Sequence, residues 1–151
     1  MPQAAPNVDA RDCNCTGLKK AARRVSLLYD RHLAPCRLTS GQFAILVAIG
    51  AWSGGRSPPL GELARALAMD RAALTHTLKP LEREGLIEFA RDGRDGRARL
   101  VQLTDAGSQR LDEGRPLWAA AQEDFATAFG EDQAIALRAL LRIVTEKVLG
   151  D

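Results

Sequence analysis

The chain has 151 residues, of which 46% are hydrophobic and 26% charged, a composition that is ordinary for a globular protein with a single core. Its formal net charge of +2 is too small to establish a nucleic-acid partner by itself. The charge is unevenly distributed, because residues 111–151 carry eight acidic but only four basic side chains. The rest of the chain is therefore more basic than the total suggests, and a local basic patch is what phosphate binding requires.

Targeting and membrane-spanning patterns are not found in the sequence. No apolar run approaches the roughly 18 residues that a membrane span needs, so we expect no membrane partner. The first residues lack the basic and then apolar order of a secretory leader. The three cysteines are an odd number, so a framework of structural disulfides is not expected. These features favour the cytoplasm.

Helical periodicity predicts three helices in the first half of the chain, after a small and polar N-terminal segment, residues 1–15, that we expect to be disordered. A loop rich in serine and glycine separates the second helix from the third. The predicted bounds of the three helices are Thr16 to about Ala34, Thr39 or Ser40 to near Trp52, and Leu60 to about Ala68.

A fourth helix follows the third after a very short joint, which is the pattern of a helix-turn-helix. Asp70 is suited to cap its start, and Gly85 is suited to end it. Leu74, Leu78 and Leu81 recur at helical spacing and place one apolar stripe on the helix. The opposite, polar face is free to meet a partner.

A β-hairpin is predicted directly after the fourth helix. Residues 86–89 and 100–103 are short runs rich in branched side chains, and the segment 91–99 between them is rich in glycine and arginine. A polar helix face beside a hairpin with an arginine tip suits DNA binding, because the helix can enter a major groove while the hairpin reaches the backbone or the minor groove.

Two long helices complete the chain. The first starts at Thr104 or Asp105, is expected to kink at Pro116 and ends at Gly130, and the second spans residues 131–149. The first, fifth and last helices carry more apolar surface than the helix-turn-helix can cover. We interpret this surplus as a dimer interface, since a two-fold dimer doubles the contacts on a palindromic site. A monomer with a helical cap is the alternative.

The order of elements and several motifs resemble the multiple antibiotic resistance regulator (MarR) family of bacterial repressors. The resemblance covers roughly residues 16–149. It implies an obligate homodimer with intertwined terminal helices, whose winged lobes bind a pseudo-palindromic operator. It also implies that a small molecule or an oxidant lowers DNA affinity, and that the protein is a repressor. The matching motifs lie at residues 63–64, 69–75, 78–87, 95–97 and 101–107.

The predicted fold class is therefore mainly α with a small β-hairpin: a winged helix-turn-helix whose N- and C-terminal helices form a dimerisation domain. We divide the chain into a disordered segment, residues 1–15, and a single protomer, residues 16–151. Within the protomer, residues 39–104 form the DNA-binding lobe, and residues 16–38 and 105–149 form the dimerisation helices.

Small and polar residues of the fourth helix and arginines of the hairpin are the candidates for DNA contact. Short side chains let the helix approach base edges, and an arginine at a hairpin tip can enter a narrow minor groove. By resemblance, Arg97 matches the signature arginine of the family, and Asp95 braces it. His76 stands where the family more often has arginine. A solvated helix face and a soluble charged loop are the alternatives. The predicted DNA-binding residues are Arg71, Ala72, Thr75, His76, Thr77, Lys79, Arg94, Asp95, Arg97 and Arg99.

The resemblance places an effector pocket where the dimerisation helices meet the DNA-binding lobe. Aromatic and polar side chains from several helices are candidates to line it, although aromatic residues at helical spacing are also common in an ordinary core. The ligand is expected to be small and aromatic. The predicted pocket residues are Tyr29, His32, Cys36, Phe43, Trp52 and Trp118.

Cys13 and Cys15 form a C-x-C motif near the start of the first helix. Two thiolates are too few for a metal site, but a thiol near a helix N-terminus and close to Lys19 and Lys20 can have a lowered pKa and react with oxidants. About 25 Å of helix separates Cys15 from Cys36, so a disulfide between these two within one chain is not expected. Unreactive thiols are the alternative.

The sequence gives no reason to expect an enzyme. It contains no paired carboxylates, catalytic triad or phosphate loop, and no cofactor or metal is expected. The predicted partners are double-stranded DNA, a second copy of the chain and a small-molecule effector. Such a protein is expected in the bacterial cytoplasm, at the nucleoid when bound to DNA. A winged-helix module that binds proteins and not DNA is the alternative.

Overall fold

Six α-helices and one two-stranded antiparallel sheet make up the part of the chain that the structure describes. The structure is a computed structural model, and it describes residues 9, 11–52, 55–93, 96 and 98–148. The predicted fold class, mainly α with a small hairpin, is confirmed. The elements are α1 Asn14–Leu33, a 3₁₀ turn Ala34–Cys36, α2 Ser40–Gly50, α3 Leu60–Ala66, α4 Arg71–Arg83, β1 Ile87–Arg91, β2 Arg99–Leu103, α5 Asp105–Phe129 and α6 Glu131–Lys147.

Helix α1 begins earlier than predicted, at Asn14. Cys13 is its N-cap residue, with an extended backbone, and the amide of Gly17 donates to the Cys13 carbonyl at 2.9 Å. The helix therefore includes Cys15 and Thr16. The predicted start at Thr16 is two residues late, and Asn14 and Cys15, which were expected to be disordered, lie in α1.

Helix α2 lies at the centre of the core. A capping box fixes its start: the amide of Gln42 donates to the Thr39 hydroxyl at 3.2 Å, while the Thr39 amide donates to the Gln42 side chain at 3.0 Å. Phe43 and Leu46 are among its buried side chains. The predicted start of this helix is confirmed, and its end at Gly50 falls two residues before Trp52.

Helices α3 and α4 form the helix-turn-helix. Ala68 between them has a left-handed backbone, with φ of 51°, so α3 ends at Ala66 and not at Ala68 as predicted. Asp70 caps α4 by accepting from the amide of Ala73 at 2.8 Å. Gly85 then ends α4 with φ of 71°, a conformation that glycine adopts without strain. Both predicted ends of α4 are confirmed.

The hairpin is longer than predicted at its tip. Its register pairs Phe89 with Val101 and Arg91 with Arg99, so both arginines lie in the strands and not in the turn. A neighbouring segment adds an isolated bridge, since the amide of Val101 donates to the Pro58 carbonyl at 3.0 Å. Sequence analysis missed this bridge because proline-rich segments do not have a strand pattern.

Helix α5 packs on the lobe, and α6 packs on α5. Thr104 caps α5 by accepting from Gly107 at 3.0 Å, and its hydroxyl donates to the Gly85 carbonyl at 2.6 Å. Gly107 lies against the Leu86 carbonyl, where a Cβ atom would not fit. Helix α5 is continuous through Pro116, and α6 ends at Lys147, before the predicted residue 149.

The core is continuous through the lobe and into α1 and α5. Leucines with 0% exposure come from α1, α2, α3, α4 and the connection that follows α4. Large apolar side chains also remain exposed, and within the described residues all of them lie on α1, α5 or α6 or directly after α6. These residues are Leu18, Leu27, Trp118, Phe129, Ile135, Leu140, Leu141, Ile143, Val144 and Val148. Within the described ranges no single helix is long and apolar enough to cross a membrane; one bent pair, Asn14–Cys36 with Ser40–Gly50, meets the length and composition together but turns by 72° at its break.

Candidate nucleic-acid interface and effector cavity

The leucine stripe of α4 fixes which face of the helix points outward. Leu74, Leu78 and Leu81 have 0% exposure. With about 100° between successive residues, the opposite face carries His76 and Lys79, both of which are exposed. Ala72 is exposed on this face as well. The predicted DNA-reading face is thus a continuous surface, flanked by Thr75 on one side and by Thr77, which lies nearer the core, on the other.

The hydroxyls of both threonines donate back into the helix. Thr75 Oγ1 donates to the Arg71 carbonyl at 2.7 Å, and Thr77 Oγ1 donates to the Ala73 carbonyl at 3.0 Å. Each hydroxyl proton is therefore occupied, while the lone pairs and methyl groups remain available. These side chains suit contacts with base donors or thymine methyls better than donation to base acceptors.

Two predicted residues from different elements line one cleft. Arg71 of α4 and Arg99 of β2 border a cleft of about 390 Å³ together with Arg65 of α3 and Glu62. Sequence analysis missed Arg65 because only the packing of α3 against α4 brings it near the other two arginines. We call this feature the arginine cleft, defined by Arg65, Arg71 and Arg99.

Arg99 lies in a strand of the hairpin and not in its turn as predicted. Arg99 is exposed and its guanidinium lies 4.1 Å from the centre of the Phe89 ring, a cation–π contact that holds it along the strand. Arg94, Asp95 and Arg97, including the predicted signature arginine, lie outside the described residues.

An apolar cavity opens between α1, α2 and α5. Three of the predicted pocket residues line it, Tyr29, Phe43 and Trp118, and we call it the aromatic cavity. Its volume is about 430 Å³, which is within the range of small-ligand sites. Arg115 and Ser40 add polar groups to its wall, and sequence analysis did not single out either of them. Arg115 also pairs with Asp112 at 3.1 Å on the surface.

Tyr29 carries the only phenol in the chain. Its hydroxyl donates to Gln122 Oε1 of α5 at 2.5 Å. Burial raises the pKa of Tyr29, and the positive charge of Arg138 on α6 offsets part of this effect. The neutral phenol is therefore the favoured form at the edge of the cavity.

The other three predicted pocket residues are not among those that line the aromatic cavity. His32 Nε2 lies 2.7 Å from Asp124 Oδ2 on α5. Cys36 is buried beside Leu33, to whose carbonyl its thiol donates at 3.1 Å. Trp52 lines a separate cleft beside the hairpin, because α2 ends before it. None of the three lines the aromatic cavity, and their role in an effector pocket stays a prediction.

Arg110 links the end of α4 to the base of α5. Its guanidinium donates to the Cys36 carbonyl at 3.2 Å and lies 3.7 Å from the Glu84 carboxylate and 3.9 Å from that of Glu113. Its side chain is three-quarters buried, with 25% exposed. The contact joins α5, which lines the aromatic cavity, to Glu84, the C-cap residue of α4.

Cys13 and Cys15 are exposed at the start of α1. A hydrogen bond with the Thr16 side chain lowers the pKa of the Cys13 thiol, and the backbone of Thr16 and the charge of Lys19 act in the same direction. Among the residues that the structure describes, no group of three or more His, Cys, Asp or Glu side chains could hold a metal ion.

Comparison with known proteins identifies the same architecture. A model of the MarR family matches residues 38–98. The uncharacterised regulator YwaE of Bacillus subtilis (strain 168) is 25% identical over 149 residues, which cover 98% of this chain and 85% of YwaE. The crystal structure of a probable transcriptional regulator from Pseudomonas aeruginosa is 30% identical, with a TM-score of 0.76, over 89% of this chain and 98% of that one.

The transcriptional repressor CouR is similar in two complexes. With a 23-mer DNA duplex it is 27% identical, with a TM-score of 0.77, over 92% of this chain and 99% of that one. In the complex with p-coumaroyl-CoA it is 25% identical, with a TM-score of 0.78, over 91% of this chain and 94% of that one. These relatives are regulators and not enzymes, as expected from the sequence. Their agreement with the helix-turn-helix and hairpin geometry above leads to one conclusion: the chain belongs to the MarR family and is a DNA-binding transcriptional regulator with a winged helix-turn-helix.

Proposed function

We propose that this regulator is a homodimeric repressor that binds a pseudo-palindromic operator and is released by a small aromatic ligand. The observation that carries the proposal is the distribution of exposed apolar side chains. Ten large ones are exposed among the described residues, all outside the segment from α2 to β2. Because the target is DNA, we place the protein in the bacterial cytoplasm, at the nucleoid.

Such a surface favours a second copy of the chain as its partner. Contiguous apolar surface on a monomer is normally limited, and large exposed patches mark interaction sites. Helix α6 contributes Ile135, Leu140 and Ile143, which are 52%, 60% and 48% exposed. Pairing of two copies through α1, α5 and α6 covers these side chains and presents two α4 helices to one duplex. Two-fold symmetry in the protein then calls for a palindromic site.

Within each lobe we assign different roles to the predicted contact residues. Short side chains and His76 on the outer face of α4 read base edges, while basic side chains at its ends hold phosphates. The hairpin arginines reach the backbone and the minor groove. The base-reading group is Ala72, Thr75, His76 and Thr77, the phosphate group is Arg71 and Lys79, and the hairpin group is Arg94, Asp95, Arg97 and Arg99.

The aromatic cavity is the proposed effector site. Tyr29, Phe43 and Trp118 offer ring surfaces, and Arg115 offers a positive charge at the wall, so an aromatic compound with an acidic group fits this lining. The complex of the repressor CouR with p-coumaroyl-CoA supports an aromatic ligand for a protein of this kind. Movement of α5 on binding can reach α4 through Arg110, which contacts Glu84.

Three measurements test this function. A gel shift with DNA from upstream of the gene, combined with sedimentation, should give a complex of two chains per duplex. Adding p-coumarate or related aromatic acids should release the duplex. Deleting the gene should raise transcription of the neighbouring gene. Reduced transcription after deletion would make the protein an activator, and one chain per duplex would reject the dimer.

Oxidation is a second proposed trigger, favoured by the exposed and acidified thiol of Cys13. Two thiols and hydrogen peroxide would give one disulfide and two waters, either within the C-x-C motif or between subunits. Non-reducing electrophoresis after peroxide should show cross-linked dimer if the bond joins subunits. A Cys13→Ser, Cys15→Ser protein that still releases DNA with peroxide would reject this trigger.

A further inference from the structure

The arginine cleft lies where three elements of the lobe converge. Arg65 comes from the last turn of α3, Arg71 from the first turn of α4 and Arg99 from the start of β2. All three side chains are exposed and line the same space of about 390 Å³. Three positive charges from separate elements are thus collected at one opening.

Specific packing holds two of these arginines at the cleft. The guanidinium of Arg71 lies against the Cα of Gly61 in α3, so closely that a Cβ atom at Gly61 would meet it. The guanidinium of Arg99 lies 4.1 Å from the centre of the Phe89 ring. These contacts leave the N–H groups of both side chains free to meet an anion.

The charges at the cleft are not neutralised within the described part of the chain. No described carboxylate lies within 4.0 Å of the nitrogens of Arg65, Arg71 or Arg99. Glu62 lines the cleft as well, and it is a single opposing charge. Gathering like charges costs free energy that a bound anion recovers. An oxyanion is the chemical class that fits, since guanidinium groups bind phosphate oxygens in pairs.

The position of the cleft indicates the source of the phosphate. It separates the start of α4 from the hairpin, which are the two elements expected in neighbouring DNA grooves. In duplex DNA, the sugar–phosphate backbone separates a major groove from the neighbouring minor groove. We propose that Arg65, Arg71 and Arg99 together hold one backbone phosphate of DNA in this cleft. The inference rests on the proposed DNA contacts and adds Arg65 and a shared phosphate to them.

A shared phosphate makes a quantitative prediction for double variants. We expect Arg65→Gln and Arg99→Gln each to weaken binding of a random-sequence duplex of about 30 base pairs by roughly tenfold. If both arginines hold one phosphate, the affinity of the double variant falls by a factor smaller than the product of the two single-variant factors. Its salt slope, log K against log salt concentration, should fall by about 0.9 in total.

Two controls make the comparison specific. The pair Arg65→Gln with Lys79→Gln should show multiplied losses and a slope lowered by about 1.8, because Lys79 belongs to a separate phosphate. Arg24→Gln, on the exposed surface of α1, makes the same charge change outside the residues that line the cleft and should leave binding unchanged. Thermal unfolding verifies that each variant remains folded.

Gly61→Ala tests the cleft without changing charge. Its methyl group displaces the flexible end of Arg71, so we expect weaker DNA binding in the wild-type background and no additional loss in an Arg71→Gln background. Glu62→Gln should tighten binding, since it removes the opposing charge.

The possible outcomes separate the cleft from the function. A wild-type protein that binds no duplex at any salt concentration would reject DNA binding itself. Full affinity of Arg65→Gln, or losses for Arg65 and Arg99 that multiply with a slope lowered by about 1.8, would reject the shared phosphate and leave DNA binding intact. Titration with inorganic phosphate is the last arm: binding that depends on Arg65, with DNA affinity unaffected by its loss, would make this a site for a free anion and overturn the proposal.

Discussion

Phe43 of α2 packs directly against Gly114 of α5, so closely that a Cβ atom at Gly114 would lie 2.7 Å from Cε2 of the ring. This approach joins the central helix of the DNA-binding lobe to α5, one of the helices of the proposed dimer interface. It also sets the position of an aromatic ring that lines the aromatic cavity. Position 114 has an ordinary helical backbone. Glycine is therefore required there by the close packing and not by its backbone conformation.

We expect Gly114→Ala to destabilise the protein by about 1–3 kcal/mol, because the added methyl group forces the Phe43 ring toward the cavity. Gly41→Ala is the matched control, because it also replaces a helical glycine. Its added Cβ atom would meet nothing closer than 4.0 Å. That control should stabilise the fold by about 0.5–1 kcal/mol. Urea denaturation measures both, and a stabilising Gly114→Ala would contradict the close packing.

The proposed dimer predicts a large effect at α6. Leu140 is 60% exposed in the single chain. Replacing it with glutamine removes about 1.5–3 kcal/mol of apolar burial per subunit, or about 3–6 kcal/mol for a symmetric pair. The dimer dissociation constant should therefore rise by about 10² to 10⁴. Sedimentation equilibrium measures this constant, and Arg142→Gln on the same helix is the control. Equal effects of the two substitutions would argue against an interface at Leu140.

Base reading by α4 predicts a change in sequence preference. His76 is exposed on the outward face, so His76→Ala should alter which duplexes are selected from a random pool, with little change in salt slope. Lys79→Gln should instead weaken all sequences alike and lower the slope by about 0.9. An unchanged selected sequence for His76→Ala would place base reading on other residues.

The parts of the fold with local signals were predictable from the sequence. Asp70, the leucine stripe and Gly85 define α4, and the structure confirms each through a cap bond, burial or a positive φ. Each signal acts over a few residues, within one turn or one helix face. The start of α1 had no such signal, because its N-cap residue, Cys13, is not one of the residue types that usually cap helices.

Features that depend on packing between distant segments were not predictable. Trp52 and Phe43 lie on the same predicted helix, yet they line different cavities because α2 ends at Gly50. Arg65 joins Arg71 and Arg99 only through the assembled lobe. A periodic pattern tells which side of a helix is buried, but not which element covers it.

The raised pKa of Tyr29 predicts how stability depends on pH. The folded state favours the neutral phenol, since burial disfavours phenolate. Stability from this shift is fully present below the unfolded-state pKa of about 10, and it is lost as pH rises through the higher folded-state value. Because Tyr29 is the only tyrosine, the ultraviolet absorbance of phenolate reports its titration directly.

Replacing Arg138 tests the physical cause of this shift. The positive charge of Arg138 lowers the pKa of Tyr29 and opposes the effect of burial, so Arg138→Gln should move the titration midpoint upward. Arg142→Gln removes a charge from the same helix and should leave the midpoint where it is. In denaturant all three proteins should titrate alike, with a midpoint of about 10. Two results would contradict this account: a titration midpoint of about 10 in the folded wild-type protein, or a lower midpoint in Arg138→Gln than in the wild type. Either would show that Tyr29 is not held at the edge of the aromatic cavity between Gln122 of α5 and Arg138 of α6.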